Sequence, residues 1–289
     1  MDLIEDSPAV RLELDSTPET LTLVRGALGA VAELLSLDPE LLDDLKTAVS
    51  EACNNVVLHA YDGVPGPLSV LLYVQPREIE VIVRDHGSGI PAGTASDDRM
   101  QGVGLPIIRA LAQEAEFLSP GDGGTEVRMV FSGDRDGKPL FEPPTQIAPE
   151  DGWTSRLSGD AVVSLSPVTF LGALLGRLAR ALAARARFSL DRFSDVYLVT
   201  DAIAAHAARA ASGDRIGFGL STGTRRLELT VGPFRSGSGS QLREERPVRD
   251  VGSPLLMLSD EVQINAAEGH EVLHVVMTDQ RRESLRGVV

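Results

Sequence analysis

Apolar positions along the chain change period in a fixed order. "AVRLELD" (9–15) alternates as a strand does. The following "TLTLVRGALGAVAELLSL" sets Leu21, Val24, Leu28, Val31 and Leu35 at helical spacing, with Thr17 and Pro18 read as its N-cap and first helical residue. Asp38 and Pro39 open a second helix through Val57. After the turn "DGVPGP", the runs "LSVLLYV" and "IEVIVRD" read as the two arms of an antiparallel hairpin. A glycine-punctuated segment, 86–104, leads into a helix over "LPIIRALAQEA", and "TEVRMVF" closes the unit as a strand.

Residues 133–158 mix proline, glycine and acid without steady periodicity and read as a linker. The pattern then starts again. "AVVSLSPVTFLGALLGRLARAL" echoes the first strand and helix, and "SLDRFSDVYLVTDAIAAHAARA" echoes "SLDPELLDDLKTAVSEACNNVV". "LELTV", "DVGSPLL" and "GHEVLHVVM" echo "IEVIV", "GVGLPII" and "GTEVRMVF" in the same order. The expected fold is α+β: two copies of one two-layer unit, at 1–132 and 159–280, with helices on one face of a mostly antiparallel sheet and a tail at 281–289.

A chain of 289 residues is long enough for two such units. Its net charge of −15 is uneven, because residues 1–130 hold 8 Lys and Arg against 22 Asp and Glu. That imbalance argues against nucleic acid or an anionic membrane as partner and favours a basic or mixed protein surface. Cys53 is the sole cysteine, which excludes an intramolecular disulfide and any multi-cysteine zinc site and suits a reducing cytoplasm. It is expected as a small buried hydrophobe. "MDLIEDSPAV" has neither a basic start nor a long apolar run, so no signal peptide is expected. The most apolar helical stretch is interrupted by Arg177, Arg180, Arg185 and Arg187, so no membrane span is expected either.

The candidate chemistry begins in "SEACNNVVLHA" (50–60). Glu51, Asn55 and His59 recur at i, i+4 and i+8 and share one helix face, while Val49, Ala52, Val56 and Val57 can pack. Asparagine is a poor helix former, so the pair Asn54–Asn55 calls for a reason: an exposed or internally bonded polar face, or a face that meets a ligand such as Mg²⁺ and phosphate. In "VRDHGSGI", Asp85 ends a strand and is followed by Gly87 and Gly89; it is either an acidic turn or an acceptor for the adenine amine beside backbone that a nucleotide can approach. Gly102 and Gly104 in "GVGLPIIRAL" lead into a helix with Pro106 in its first turn, which makes either a plain cap or a phosphate-facing N-terminus. "GGTEV" places Thr125 just before the closing strand.

Taken in order, "EACNN…HA", "DHGSG", "GVGL" and "GGT" resemble the N box and glycine boxes of the GHKL ATPase superfamily, specifically its anti-sigma-factor serine/threonine kinases, over roughly residues 8–132. The resemblance implies a Bergerat-type ATP-binding fold. It makes Glu51 the catalytic base, Asn55 the Mg²⁺ ligand and Asp85 the adenine reader. Asn54, Gly87, Gly89, Gly102 and Gly104 become nucleotide contacts, and Thr125 a further base contact. The loop between the glycine boxes is shorter than the lid of better-known members and leaves Arg99 as its only cation, either a reader of the terminal phosphate or a surface arginine.

Aligning the copies puts Asp201 at Glu51, Ala204 and Ala205 at Asn54 and Asn55, Pro233 at Asp85, Asp250 at Gly102 and His270 at Thr125. The second copy is therefore expected to hold no Mg·ATP and to act as a protein-binding or pseudo-dimer element; the alternative is a homo-oligomer. Two functions are carried forward. One is an ATP-dependent cytoplasmic kinase that phosphorylates an anti-anti-sigma (STAS-type) protein and regulates a sigma factor. The other is a non-catalytic, nucleotide-gated adaptor in such a pathway.

Overall fold

The computed structural model describes residues 7–88, 104–120, 123–239, 253–267 and 269–279. Strand β1 (Val10–Asp15) is followed by helices α1 (Thr20–Leu34) and α2 (Pro39–His59), the hairpin β2 (Pro67–Gln75) and β3 (Glu78–Asp85), helix α3 (Gly104–Leu111), and strands β4 (Glu114–Leu118) and β5 (Glu126–Ser132). A two-residue hairpin, β6 (Asp134–Arg135) and β7 (Lys138–Pro139), precedes the second series. That series is β8 (Ala161–Leu165), α4 (Leu171–Arg185), α5 (Leu190–Ala210), β9 (Ile216–Gly223), β10 (Arg226–Arg235), α6 (Pro254–Leu258), β11 (Glu261–Ala267) and β12 (His270–Thr278).

Ten strands of the described residues form one antiparallel sheet in the order β11-β12-β10-β9-β8-β1-β2-β3-β5-β4. Read outward from the centre, the two sides run 1-2-3-5-4 and 8-9-10-12-11, the same path taken twice. The halves meet edge to edge through β1 and β8, where Leu12 pairs with Val163. They meet again in the helical layer, where α1 packs on α4 and Gly26 lies against Arg177. Each pair is 151 positions apart in the chain, so both contacts join a residue to its own counterpart, as a twofold relation between the halves requires. Arg177 closes the seam with an ion pair to Glu33.

Local chemistry explains most element boundaries. The Asp38 carboxylate accepts from Glu40 N and Leu41 N, 3.0 and 3.3 Å away, with Pro39 at the first turn of α2. Helix α1 departs from the expected cap: Glu19 is the N-cap residue and makes no side-chain cap bond, while Thr17 and Pro18 form the turn before it. The third helix stops at Leu111 rather than running on through Ala115, and Glu114 and Ala115 instead begin strand β4 on β5.

The segment expected as a linker is well ordered. Leu140 and Phe141 are buried in the core, Asp38 N donates to Leu140 O, and Glu142 N donates to Leu35 O. Farther on, the Arg215 guanidinium is buried and donates to the carbonyls of Pro8, Ala148 and Pro149 and to Ser164 Oγ, holding this segment against the β1–β8 junction. Burial of this cation pushes its pKa down, against the pull of nearby Glu150 and Asp151. No helix among the described residues is long and apolar enough to cross a membrane.

Candidate functional site

Helix α2 turns Leu41, Leu45, Ala48, Val49, Ala52, Cys53 and Val56 into the core. The opposite stripe leaves Glu51, Asn54 and Asn55 half-buried, and His59 exposed in the last turn. Gly104, the first residue of α3, comes down onto this stripe. A Cβ built there would stand 3.0 Å from Glu51 Oε2 and 3.4 Å from Asn55 Oδ1. The helix start and the two polar side chains therefore form a single surface, with just enough room for a residue lacking a side chain.

The second cluster lies at the end of β3. Asp85 is buried, its backbone N donates to Thr125 O at 2.9 Å, and one carboxylate oxygen accepts from Gly87 N at 2.8 Å. Gly87 is wedged against the end of α2, since a Cβ would fall 2.1 Å from the Ala60 carbonyl oxygen. The same carbonyl accepts from Ser88 N. Gly124, at φ +85°, donates to Gly87 O at 3.0 Å and leaves no room for a side chain beside the Asp85 carbonyl. Asp85, Gly87 and Thr125 thus belong to one knot tied to α2. Gly89, Arg99 and Gly102 lie outside the described residues.

Two members of the knot, Tyr61 and Gly124, were given no role in the sequence reading. Tyr61 Oη accepts from His86 N at 2.8 Å and donates to Pro67 O at 2.5 Å, bracing the β3 exit against the start of β2. Burial raises the phenol pKa and the Asp85 charge adds to the effect, while the bond from His86 opposes it. Its position directly after "HA" was the available signal; Gly124 was visible only as part of a glycine pair. Cys53, as expected, is fully buried, and burial pushes its thiol up to about 12.

In the second half the equivalent place is lined by different side chains, His206, Phe234 and Glu271 among them. The caps Asp38 and Ser189, and the buried series Leu45, Ala48, Val49, Ala52, Val56 against Val196, Val199, Thr200, Ile203, Ala207, align the helices 151 positions apart. This corrects the sequence alignment by one residue, so that Ala202, Ala205 and His206 stand at Glu51, Asn54 and Asn55. The hairpin turns, Gln75–Glu78 and Gly223–Arg226, keep Pro233 at Asp85. His206 is buried with its ring 5.1 Å from that of Phe234. The Glu271 carboxylate accepts from Gly237 N, Gly239 N and Ser238 Oγ at 2.7, 2.8 and 3.0 Å. Burial raises its pKa, but these donors and His206 outweigh burial, and the net shift is downward.

Residues 14–131 match the model of the histidine kinase-like ATPase domain. The serine-protein kinase RsbW of Bacillus pumilus is 33% identical over 137 residues, which is 42% of this chain and 83% of that protein. The anti-sigma F factor of Caldanaerobacter subterraneus is 28% identical over 136 residues, 44% of this chain and 95% of its own length. A solved chain of the mycobacterial sensor histidine kinase MprB aligns at 20% identity and a TM-score of 0.29, covering 46% of this chain and 98% of its own. The kinship runs through the half that carries Glu51, Asn55 and Asp85, and by it the chain belongs to the histidine kinase-like ATPases, in the family of the RsbW serine-protein kinases.

Proposed function

We propose that the front half binds Mg·ATP and transfers its terminal phosphoryl group to a serine of an anti-anti-sigma (STAS-type) protein, and that the chain thereby regulates a sigma factor. The observation that carries this reading is the seating of Gly104 on Glu51 and Asn55: a helix start brought onto a carboxylate and an amide suits a bound triphosphate. Support for the protein substrate comes from the relatives, named as serine-protein kinases and anti-sigma factors.

The donor set fits the metal, since Asn55 Oδ1 is a hard oxygen ligand and Mg²⁺ completes its shell with phosphate and water. Asn55 would hold Mg²⁺ there, and the ion would supply neutralisation of phosphate charge. Glu51 accepts the proton of the attacking serine hydroxyl as its oxygen bonds to the γ-phosphorus and the bond to the β-phosphate oxygen breaks, releasing ADP. Asp85, with one oxygen held by Gly87 N, offers the other to the adenine amine. Thr125, whose carbonyl accepts from Asp85 N, would add a further base contact, and Asn54 would flank the phosphate side. The rear half, with His206 and Phe234 packed into its equivalent space, serves as a pseudo-subunit across the β1–β8 seam.

The test is transfer of label from γ-labelled ATP to a candidate antagonist, with Glu51→Ala as control. Labelled serine with the natural chain and none with the variant, both still binding nucleotide, is the expected result. Nucleotide binding without label on any antagonist would reject the kinase and leave the gated adaptor.

A further inference from the structure

We infer that Tyr61 is a positioning residue for base selection: its hydroxyl, set into the last rung between β2 and β3, fixes the aim of the Asp85 carboxylate at the amine of adenine. The inference rests on the reading of Asp85 as the adenine acceptor and adds to it a residue that acts through it. Pairing of β2 with β3 ends at Leu68 and Asp85. Asp85 N turns the other way, to Thr125 O on the β5 side, so by antiparallel alternation the next rung toward β2 belongs to His86 N and Pro67 O. That rung is not closed directly. The Tyr61 hydroxyl stands in it, accepting from His86 N at 2.8 Å and donating to Pro67 O at 2.5 Å.

The hydroxyl decides where Asp85 points because it completes the restraints on that residue's backbone. One flanking peptide is held by the bond from Asp85 N to Thr125 O. The other, joining Asp85 to His86, is held at its N–H by Tyr61 and confined at its carbonyl by Gly124, where a Cβ would fall 2.1 Å from the oxygen. With both planar peptides held, the direction of the Asp85 side chain is set. Gly87 N takes one carboxylate oxygen, and the other remains to accept from an amine. The phenol is itself held: its ring lies on Gly66, where a Cβ would stand 2.5 Å from it, and Gly66 is tied to Ser16 by bonds of 2.8 and 3.0 Å. Burial and the Asp85 charge raise the phenol pKa against the bond from His86 N, which keeps on the oxygen the proton that Pro67 O accepts.

The rear half supplies an internal control. With the helices aligned 151 positions apart, the place of Tyr61 belongs to Ser212, and the hairpins give that of Asp85 to Pro233. There the turn after the helix closes on the strand without an intermediary. Ser212 N donates to Pro233 O at 3.2 Å, and Ser212 Oγ donates to the same carbonyl at 3.3 Å. The half without the carboxylate is also without the phenol, and a short side chain closes the same fold. The fold alone therefore does not require a tyrosine at this turn, and its place beside Asp85 answers to the ligand.

Titration calorimetry with ATP, and with the triphosphate of purine riboside, which lacks the 6-amino group, tests this. The natural chain should prefer ATP by at least about tenfold. Tyr61→Phe keeps the ring and removes the hydroxyl; it should lower ATP affinity about tenfold and leave that of the amine-free nucleotide within about twofold. Gly66→Ala displaces the ring while keeping the hydroxyl and should shrink the preference in the same direction. In an Asp85→Ala background, Tyr61→Phe should change nothing further, since the two act as one unit. Equal losses for both nucleotides would mark a mere brace of the fold and overturn the proposal, as would an ATP preference untouched by Tyr61→Phe and by Gly66→Ala. A natural chain that binds both nucleotides alike would instead overturn the reading of Asp85 itself, and the proposal with it.

Discussion

Replacing Gly87 by alanine puts a methyl group 2.1 Å from the Ala60 carbonyl oxygen and 2.7 Å from its carbon. Ordinary contact begins near 3.4 Å, so the loop has to retreat by about 1.3 Å from the end of α2. Retreat stretches two hydrogen bonds that define the knot, Gly87 N to Asp85 and Gly124 N to Gly87 O. Each contributes about 1 kcal/mol, and overpacking against a backbone carbonyl adds about 1–3 kcal/mol. If about 2 kcal/mol of this falls on the nucleotide-ready form of the loop, affinity for Mg·ATP drops roughly 30-fold. Titration calorimetry on the folded variant reads that number directly. Gly213→Ala serves as control, because a Cβ there meets nothing within 4 Å. A folded Gly87→Ala protein that binds nucleotide within about threefold of the natural chain would refute the role assigned to this loop.

Three further outcomes follow from the packing and the charges. Cys53 should resist thiol reagents at pH 8 in the folded protein and react fully in denaturant, since burial holds its pKa near 12. The Asp279 carboxyl is raised by burial but lowered more by Ser189 and by Arg225, so its net pKa lies below the ordinary value of 3.8. Its stabilisation is therefore present above that value and is lost as pH falls through the lowered one. Asp279→Asn should melt lower than the natural chain at pH 7 and show a smaller drop on acidification; equal acid sensitivity of the two would count against it. Phe141→Ala should cost about 3 kcal/mol in urea unfolding, whereas a slack tether would show no change.

Much of this was legible in the residues. The Asp38-Pro39 cap, the β2–β3 hairpin and the repeated order of elements all rest on local signals that packing reinforces. Strand β4 was not, because "AQEAEFL" continues α3 without a breaker in good helix formers and only its pairing with β5 makes it a strand. Order in 133–158 was hidden as well, since it depends on distant partners such as Leu35 and Arg215. The residues around Asn55 and Asp85 announced themselves by being polar where packing wanted apolar. The seating of Gly104 on Asn55 and of Gly87 on the Ala60 carbonyl is tertiary and could not be read from spacing, whereas the bond from Gly87 N to Asp85 is a local turn. The one-residue error in matching α2 to α5 came from aligning acids, Glu51 with Asp201, when the buried face sets the register.

The most direct measurement is the stoichiometry of Mg·ATP uptake by the whole chain in calorimetry, with and without the paired change Asn55→Ala and Asp85→Ala. One equivalent per chain, abolished by the pair, is the expected result. Two equivalents, or uptake untouched by the pair, would contradict a nucleotide site confined to the front half.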